Sequence, residues 1–407
     1  MKANLALGIS VCGGALAALT LFGCSDDTKT STTPVTQRDG GTEDGGGSGG
    51  KGGGSGGSGG KGGSGGGSGG ASTDGGDGGT PFSIASTYCV TKSLDQVACG
   101  EYIVRHVSAC GDCHSPLGPT GPQTDADHYL TGNPTFADLD PTDDTKGMVG
   151  TPNLTVLKGQ GWTATDLKNA FLKGERSTAR GGGLFPIMPY YVFHNMADDD
   201  ADAIAAFILS LPSKGTQVPE RQPLPAKYAS VPLPTPVIDE TTVPKASAGA
   251  DQASADHGRY LASAVAPCME CHTPRTPFGA LDPAKYFAGG EPFEVGPPFG
   301  TVTALNITPA KSGIQGWTAA DVQKLILQGV DEAGMPICPP MPAGPFGAFG
   351  GMDPGEALDI GNYLTNIAGV ENPEDGGRFM MCVPPMPPSD GGMMDSGTSM
   401  PMDSGTD

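Results

Sequence analysis

The feature that most constrains this chain is an internal repeat. Cys110-Gly111-Asp112-Cys113-His114-Ser115-Pro116 returns as Cys268-Met269-Glu270-Cys271-His272-Thr273-Pro274. Tyr129, Gly132 and Phe136 recur at the same internal spacing as Tyr286, Gly289 and Phe293, and Asn153-Leu154-Thr155 recurs as Asn306-Ile307-Thr308. The only two tryptophans stand in matching strings, Gln160-Gly161-Trp162-Thr163-Ala164 and Gln315-Gly316-Trp317-Thr318-Ala319. Pro186-Ile187-Met188-Pro189 and Pro339-Pro340-Met341-Pro342 close the series. Self-similarity of this kind sets the architecture, because each copy must solve the same folding problem. Copy one is read as residues 83–212 and copy two as 250–370, with a proline-rich linker, 213–249, between them.

The rest of the chain has little to bury. Of 67 glycines, 25 fall between Gly40 and Gly79, and such a stretch cannot form a core. Residues 24–82 are therefore read as a disordered Gly/Ser-rich tether, reaching roughly 40 Å as a flexible coil. Residues 371–407 are read as a disordered acidic tail. What remains is about 290 residues, enough for two small domains, each needing a cofactor or cross-links to close its core. The formal charge of −21 excludes nucleic acid as a partner, since phosphates demand Lys and Arg.

Helices are predicted around each motif. Residues 97–109 and 255–266 lead into the cysteines. Thr163 with Asp166, and Thr318 with Asp321, have capping-box spacing ahead of apolar stripes. Closing helices are expected over 198–211 and 354–367. No pair of strands with hairpin chemistry stands out, and the fold class is all-α with long Gly- and Pro-rich loops.

Cys-x-x-Cys-His is the spacing of covalent c-type haem attachment. Two thiols one helical turn apart can add to two vinyl groups of one porphyrin, placing the next imidazole under the iron. A zinc site needs about four ligands, and here the two pairs lie in different copies. A thioredoxin-like dithiol would follow a strand, and plain disulfides within the motifs are the remaining alternative.

With these strings the chain resembles the cytochrome c superfamily in its tandem dihaem form, in particular the cytochrome c domains of subunits serving periplasmic dehydrogenases. The resemblance covers residues 95–212 and 250–370. It implies two small helical domains, each wrapping one haem c held by Cys110 and Cys113 or by Cys268 and Cys271. His114 and His272 are then the proximal iron ligands. Met188 and Met341, between stiffening prolines, are the expected sixth ligands; a thioether favours Fe(II), and six-coordinate iron leaves no substrate position. Met335 and Met196 are rivals, each without a partner in the other copy. His106, His128, His194 and His257 lack counterparts and are read as solvated or core histidines. The resemblance further implies that Trp162 and Trp317 pack on the haem, with an N–H toward a propionate, and that Tyr129 and Tyr286 pack similarly; core packing is the alternative for all four. Copy two departs by inserting Phe346-Gly347-Ala348-Phe349-Gly350-Gly351 after its methionine.

The N-terminus has Lys2, an apolar run from Leu5 to Phe22, then Gly23-Cys24. It resembles a bacterial lipoprotein signal (residues 1–23), which implies cleavage before Cys24, lipid on that residue and loss of Cys12. An uncleaved anchor helix is the alternative; both put the bulk of the chain outside the cytoplasm. Ser25 after Cys24 leans toward the outer membrane. Cys89, Cys99, Cys338 and Cys382 remain, an even number in an exported chain, which suggests disulfides. Three pairings are open; Cys89 with Cys99 and Cys338 with Cys382 is favoured because each pair flanks one copy.

The expected function is electron transfer between exported or membrane-associated redox proteins, with two haem c groups and no catalytic residue of its own. A dihaem peroxidase with one open iron, and a cytochrome subunit bound to a dehydrogenase, are the alternatives.

Overall fold

The structure, a computed structural model, describes residues 87–372 apart from 119–120, 123–126, 141, 177–181, 219–221, 227–232, 248, 250, 277–278, 297–299 and 338. The signal, the tether and the tail beyond Asn372 lie outside the described residues.

Copy one opens with α1 (Thr87–Thr91) and α2 (Gln96–Tyr102). Asp95 starts α2 by accepting from the Ala98 N–H at 2.8 Å, the bond an N-cap supplies to an orphan donor. The helix then widens into a π-turn over Ile103–Val107, where the Ser108 N–H bonds to Ile103 O. The turn leads into α3 (Cys110–His114), which carries the motif. Copy two repeats this with α7 (Gln252–Tyr260), a π-turn over Leu261–Val265 and α8 (Cys268–Cys271).

Both predicted capping boxes form. Thr163 and Asp166 start α4 (Ala164–Lys173), and Thr318 and Asp321 start α9 (Ala319–Gln328), each side chain bonding the other's backbone N–H. In copy one a short α5 (Tyr190–Phe193) follows the Met188 loop, and the closing helices are α6 (Asp198–Ser210) and α10 (Pro354–Leu364).

The described residues also contain antiparallel ladders that the sequence reading did not foresee. β1 (Leu117–Gly118) pairs with β2 (Gly121–Pro122). β3 (Asn133–Asp138) pairs with β4 (Met148–Thr151), in register Asn133 to Thr151 and Ala137 to Val149 with a bulge between. β5 (Pro292–Gly296) pairs with β6 (Gly300–Thr303). The β3–β4 connection, residues 139–147, is too long and polar to carry the two-residue turn signal by which a hairpin is recognised. The chain is nonetheless mainly helical.

One apolar core runs through both copies, from Ile103, Val104, Tyr190 and Ala205 to Tyr260, Leu261, Phe287 and Ile360. A smaller cluster, Phe136, Ala137, Leu139, Val149 and Phe185, sits over the β3–β4 ladder.

Candidate haem-attachment sites

Each candidate histidine is held by the same set of bonds. His114 Nδ1 lies 3.0 Å from Pro152 O, and His272 Nδ1 lies 2.7 Å from Leu305 O. These carbonyls belong to equivalent residues, each just before the asparagine of the Asn-x-Thr string. With Nδ1–H spent on a carbonyl, Nε2 is the nitrogen left to ligate, the arrangement by which a backbone acceptor sets the tautomer of a metal-binding histidine. The backbone repeats it: Gly132 N–H donates to His114 O at 2.7 Å and Gly289 N–H to His272 O at 2.8 Å.

The residues after the histidines complete this scaffold. Ser115 Oγ accepts from Leu130 N–H, and Thr273 Oγ1 from Phe287 N–H. Leu130 and Phe287 are fully buried yet left-handed, at φ 61° and 63°. Such strain persists only where the surroundings impose it. Asn153 holds the next segment, accepting from Thr155 N–H and Oγ1 and donating to Lys214 O and Thr216 O. Asn306 likewise accepts from Thr308 and donates to Val370 O and Ser312 Oγ.

Cys110, Cys113, Cys268 and Cys271 are not joined in disulfides. Burial pushes Cys110 and Cys268 up to about 12. Cys113 and Cys271 are pushed higher still, first by burial and then by carboxylates that include Asp112 and Glu270. Burial thus disfavours the thiolate at all four positions. Burial lowers both histidines, keeping them as the neutral imidazoles that ligate, and their carbonyl bonds oppose this only in part. Among the groups acting on Cys113 are Cys271 and Glu270 of the other copy, so the two motifs lie close together.

Cys110, Cys268, Trp162, Trp317, Met188, Met341 and Tyr129 are partly buried against the shared core. Tyr129 lies beneath the Arg105 guanidinium, 4.1 Å from ring centre to carbon, and its ring would meet a Cβ on Gly111 at 2.4 Å. Tyr286 is buried, with its hydroxyl 3.4 Å from Thr242 Oγ1. Cys89 and Cys99 form a disulfide. Cys24, Cys338 and Cys382 lie outside the described residues.

Three of the histidines without counterparts use Nδ1 elsewhere: His106 at Ala348 O, His194 at Leu172 O and His257 at Asp359 Oδ2. His128 is exposed. Met196 does have a partner. It and Met352 are both buried, each four residues before the acid of its closing helix, Asp200 or Glu356. The insertion before Met352 hides that match from a count made forward from Met341.

Sequence reasoning missed a buried polar group that joins the two copies. The Tyr191 hydroxyl, three residues past Met188, donates to Glu270 and accepts from both terminal nitrogens of Arg275 at 3.1 Å. Arg275 also pairs with Glu270 and, at 3.2 Å, with Glu291. The signal available was Arg275, which stands where copy one has Leu117, five residues after the acid inside the motif, Glu270.

No family model matches the chain. Among curated proteins it is 29% identical over 193 residues to the fructose dehydrogenase cytochrome subunit of Gluconobacter japonicus, covering 45% of this chain and 37% of that protein. It is 28% identical over 178 residues to a diheme cytochrome c-type protein of Cereibacter sphaeroides, 42% of this chain and 54% of that one. A third match, 25% identical over 305 residues, is the cytochrome c subunit of the quinone alcohol dehydrogenase of Gluconobacter oxydans, covering 71% and 55%. The chain thus spans about a third to a half of the length of these relatives. By its paired motifs and by its relatives, the chain resembles dihaem cytochromes c and the cytochrome c subunits of dehydrogenases.

Proposed function

We propose that the chain is an exported two-haem electron carrier, with one haem c in each copy, anchored by lipid at Cys24 to a bacterial membrane. The observation that carries this reading is the doubled histidine scaffold, in which each Cys-x-x-Cys-His imidazole rests on an equivalent carbonyl. Haem iron, when bound, takes and gives back a single electron. The protein's residues do the remainder. Cys110 and Cys113, or Cys268 and Cys271, fix the porphyrin; His114 and His272 present Nε2; Met188 and Met341 offer soft thioethers; and the surrounding apolar core excludes water. No proton need move and no substrate need enter. Domains 83–212 and 250–370 would each hold one group, and the glycine-rich tether would let the unit meet its partners.

The relatives named as dehydrogenase cytochrome subunits favour a more specific version, in which the donor is a dehydrogenase and the chain is its cytochrome subunit. Co-purification with a second chain bearing an organic redox cofactor would separate that version from a free carrier.

Mass spectrometry of the mature protein should show two added haems. Met188→Ala and Met341→Ala should each abolish the methionine-to-iron absorption of one haem and leave the other intact. A high-spin, peroxide-reactive iron in the unmutated protein would instead support a peroxidase.

A further inference from the structure

Past its methionine each copy makes the same short descent into the core. Phe193 N–H donates to Pro189 O at 3.1 Å and Phe349 N–H to Pro342 O at 2.9 Å, each proline directly following its methionine. Met196 N–H then donates to Phe193 O, and Met352 N–H to Phe349 O. Phe193 and Phe349 are both buried. The turn over Ala348–Gly351 is therefore the counterpart of α5, with Gly347 in the place of Tyr191 and Ala348 in that of Val192. In copy one Tyr190 N–H also donates to Met188 O at 2.8 Å. Bonds of so short a range tie methionine and turn together, so whatever fixes the turn fixes the methionine backbone.

Each turn packs on the opposite copy. α5 lies against the π-turn of copy two, and the Ala348–Gly351 turn lies against the π-turn of copy one. A polar contact crosses in each place. At the first, the Tyr191 hydroxyl meets Glu270 and Arg275, which stand on either side of His272. At the second, His106, four residues before Cys110, points Nδ1 at Ala348 O from 3.2 Å. Gly351 comes so close to the same ring that a Cβ there would sit 2.2 Å from Nδ1.

The two contacts do not come from one repeated residue. Gly347 has no side chain to match Tyr191, Ala264 replaces His106, and Leu117 and Pro134 stand where copy two has Arg275 and Glu291. Different residues thus make the same connection in both directions, from a methionine turn to the attachment segment of the other copy. Packing alone does not call for it, because burying Arg275 with two carboxylates carries a desolvation cost that an apolar residue such as Leu117 avoids.

We propose that Tyr191 with Arg275, and His106 with the Ala348 carbonyl, are positioning residues that set each axial methionine from the opposite copy. The inference rests on Met188 and Met341 being iron ligands, as in the proposed function. Tyr191 holds the Met188 turn against motif two, and His106 holds the Met341 turn against the segment that enters motif one. A displacement at either attachment motif is then felt at the methionine of the other iron.

The haem-loaded full chain provides the test. In Met341→Ala only the copy-one haem keeps a methionine-to-iron absorption, and the imidazole needed to abolish it reads how firmly Met188 is held. Tyr191→Phe in that background removes a hydroxyl bonded to charged groups and should let imidazole compete about tenfold better. Arg275→Gln, a change in copy two, should act on the same copy-one haem in the same direction. Should that variant not fold, Tyr191→Phe decides, since it leaves the pair of Arg275 with Glu270 in place. In Met188→Ala, where only the copy-two haem keeps the absorption, His106→Leu should ease the competition about threefold, and Tyr191→Phe should not move it. An equal change at both irons from Tyr191→Phe would mark lost general stability and overturn the positioning, and His106→Leu without effect would overturn its reciprocal arm. Methionine absorption missing from the unmutated protein would sink the ligand reading and the positioning with it. Both absorptions present, with Tyr191→Phe inert, would sink the positioning alone.

Discussion

His114 and His272 depend on carbonyls, and an asparagine immediately follows each carbonyl residue. Asn153 is 1% exposed and uses both ends of its amide, pinning Thr155 on one side and the 214–216 backbone on the other. An aliphatic replacement leaves a buried N–H and buried carbonyls without partners, at about 1–3 kcal/mol for a group so stranded. Asn153→Ala should therefore lower the urea midpoint of the haem-loaded protein by an amount matching about 2–3 kcal/mol. It should also weaken the methionine-to-iron absorption of one haem, because the carbonyl that aims His114 moves with its neighbour. Asn306→Ala should do the same for the other haem. Equal loss of both signals in either variant would mean that the asparagines serve general stability and do not serve their own sites.

At the scale of elements, what was legible in the sequence was what is local. The capping boxes at Thr163 and Thr318 need only residues three apart, and the motif helices are announced by their cysteines, so both were readable. The crossings of the helices were not, since they depend on residues about 100 positions apart. Gly100 of α2 meets α6 so closely that a Cβ would lie 1.9 Å from Ala203 O, and Gly258 of α7 meets α10 with a Cβ 1.9 Å from Asp359 O. These glycines lie in helices, where alanine would gain about 1 kcal/mol of propensity. Contact with a backbone carbonyl at that range cannot be relieved by a rotamer change, so the helices must part. Overpacking costs about 1–3 kcal/mol or more, and the net sign is loss. Gly100→Ala and Gly258→Ala should each lower the thermal midpoint, by about 2–4 °C for each kcal/mol lost. Gly159→Ala, where a Cβ meets nothing within 4 Å, should leave it unchanged. The ladders escaped notice for the same reason as the crossings: β3 and β4 are joined by residues with no short turn signature, and only their pairing makes them strands.

Across the whole molecule, the two copies hold each other by reciprocal bonds. Tyr102 of copy one donates to Glu356 of copy two at 2.6 Å and accepts from Asp353 N–H at 2.9 Å. Tyr260 of copy two donates to Asp200 of copy one at 2.6 Å and accepts from Ala197 N–H at 3.1 Å. The tyrosines stand eight residues before Cys110 and Cys268, so the exchange has the symmetry of the repeat. Ser108 Oγ adds a bond to Val265 O at 2.8 Å between the two π-turns. Burial first, and then the facing carboxylate, raise both phenols well above their ordinary range. In the unfolded chain a tyrosine loses its proton near pH 10. Above that pH the unfolded state binds fewer protons than the folded one, so stability from these groups is whole below about pH 10 and is lost as pH rises beyond it. Replacing both residues, Tyr102→Phe with Tyr260→Phe, should cost about 1–3 kcal/mol per site at pH 7 through the lost hydrogen bond to each buried carboxylate. The same variant should show a shallower fall in stability between about pH 10 and 11.5, because phenylalanine has no proton to lose in the unfolded state. Other buried tyrosines, Tyr191 and Tyr363 among them, keep some of the slope. Denaturant titrations of both proteins across that range check the expectation: curves that converge as pH rises support a joint held by protonated phenols, and curves that stay parallel would remove the alkaline weakness from the interface between the copies.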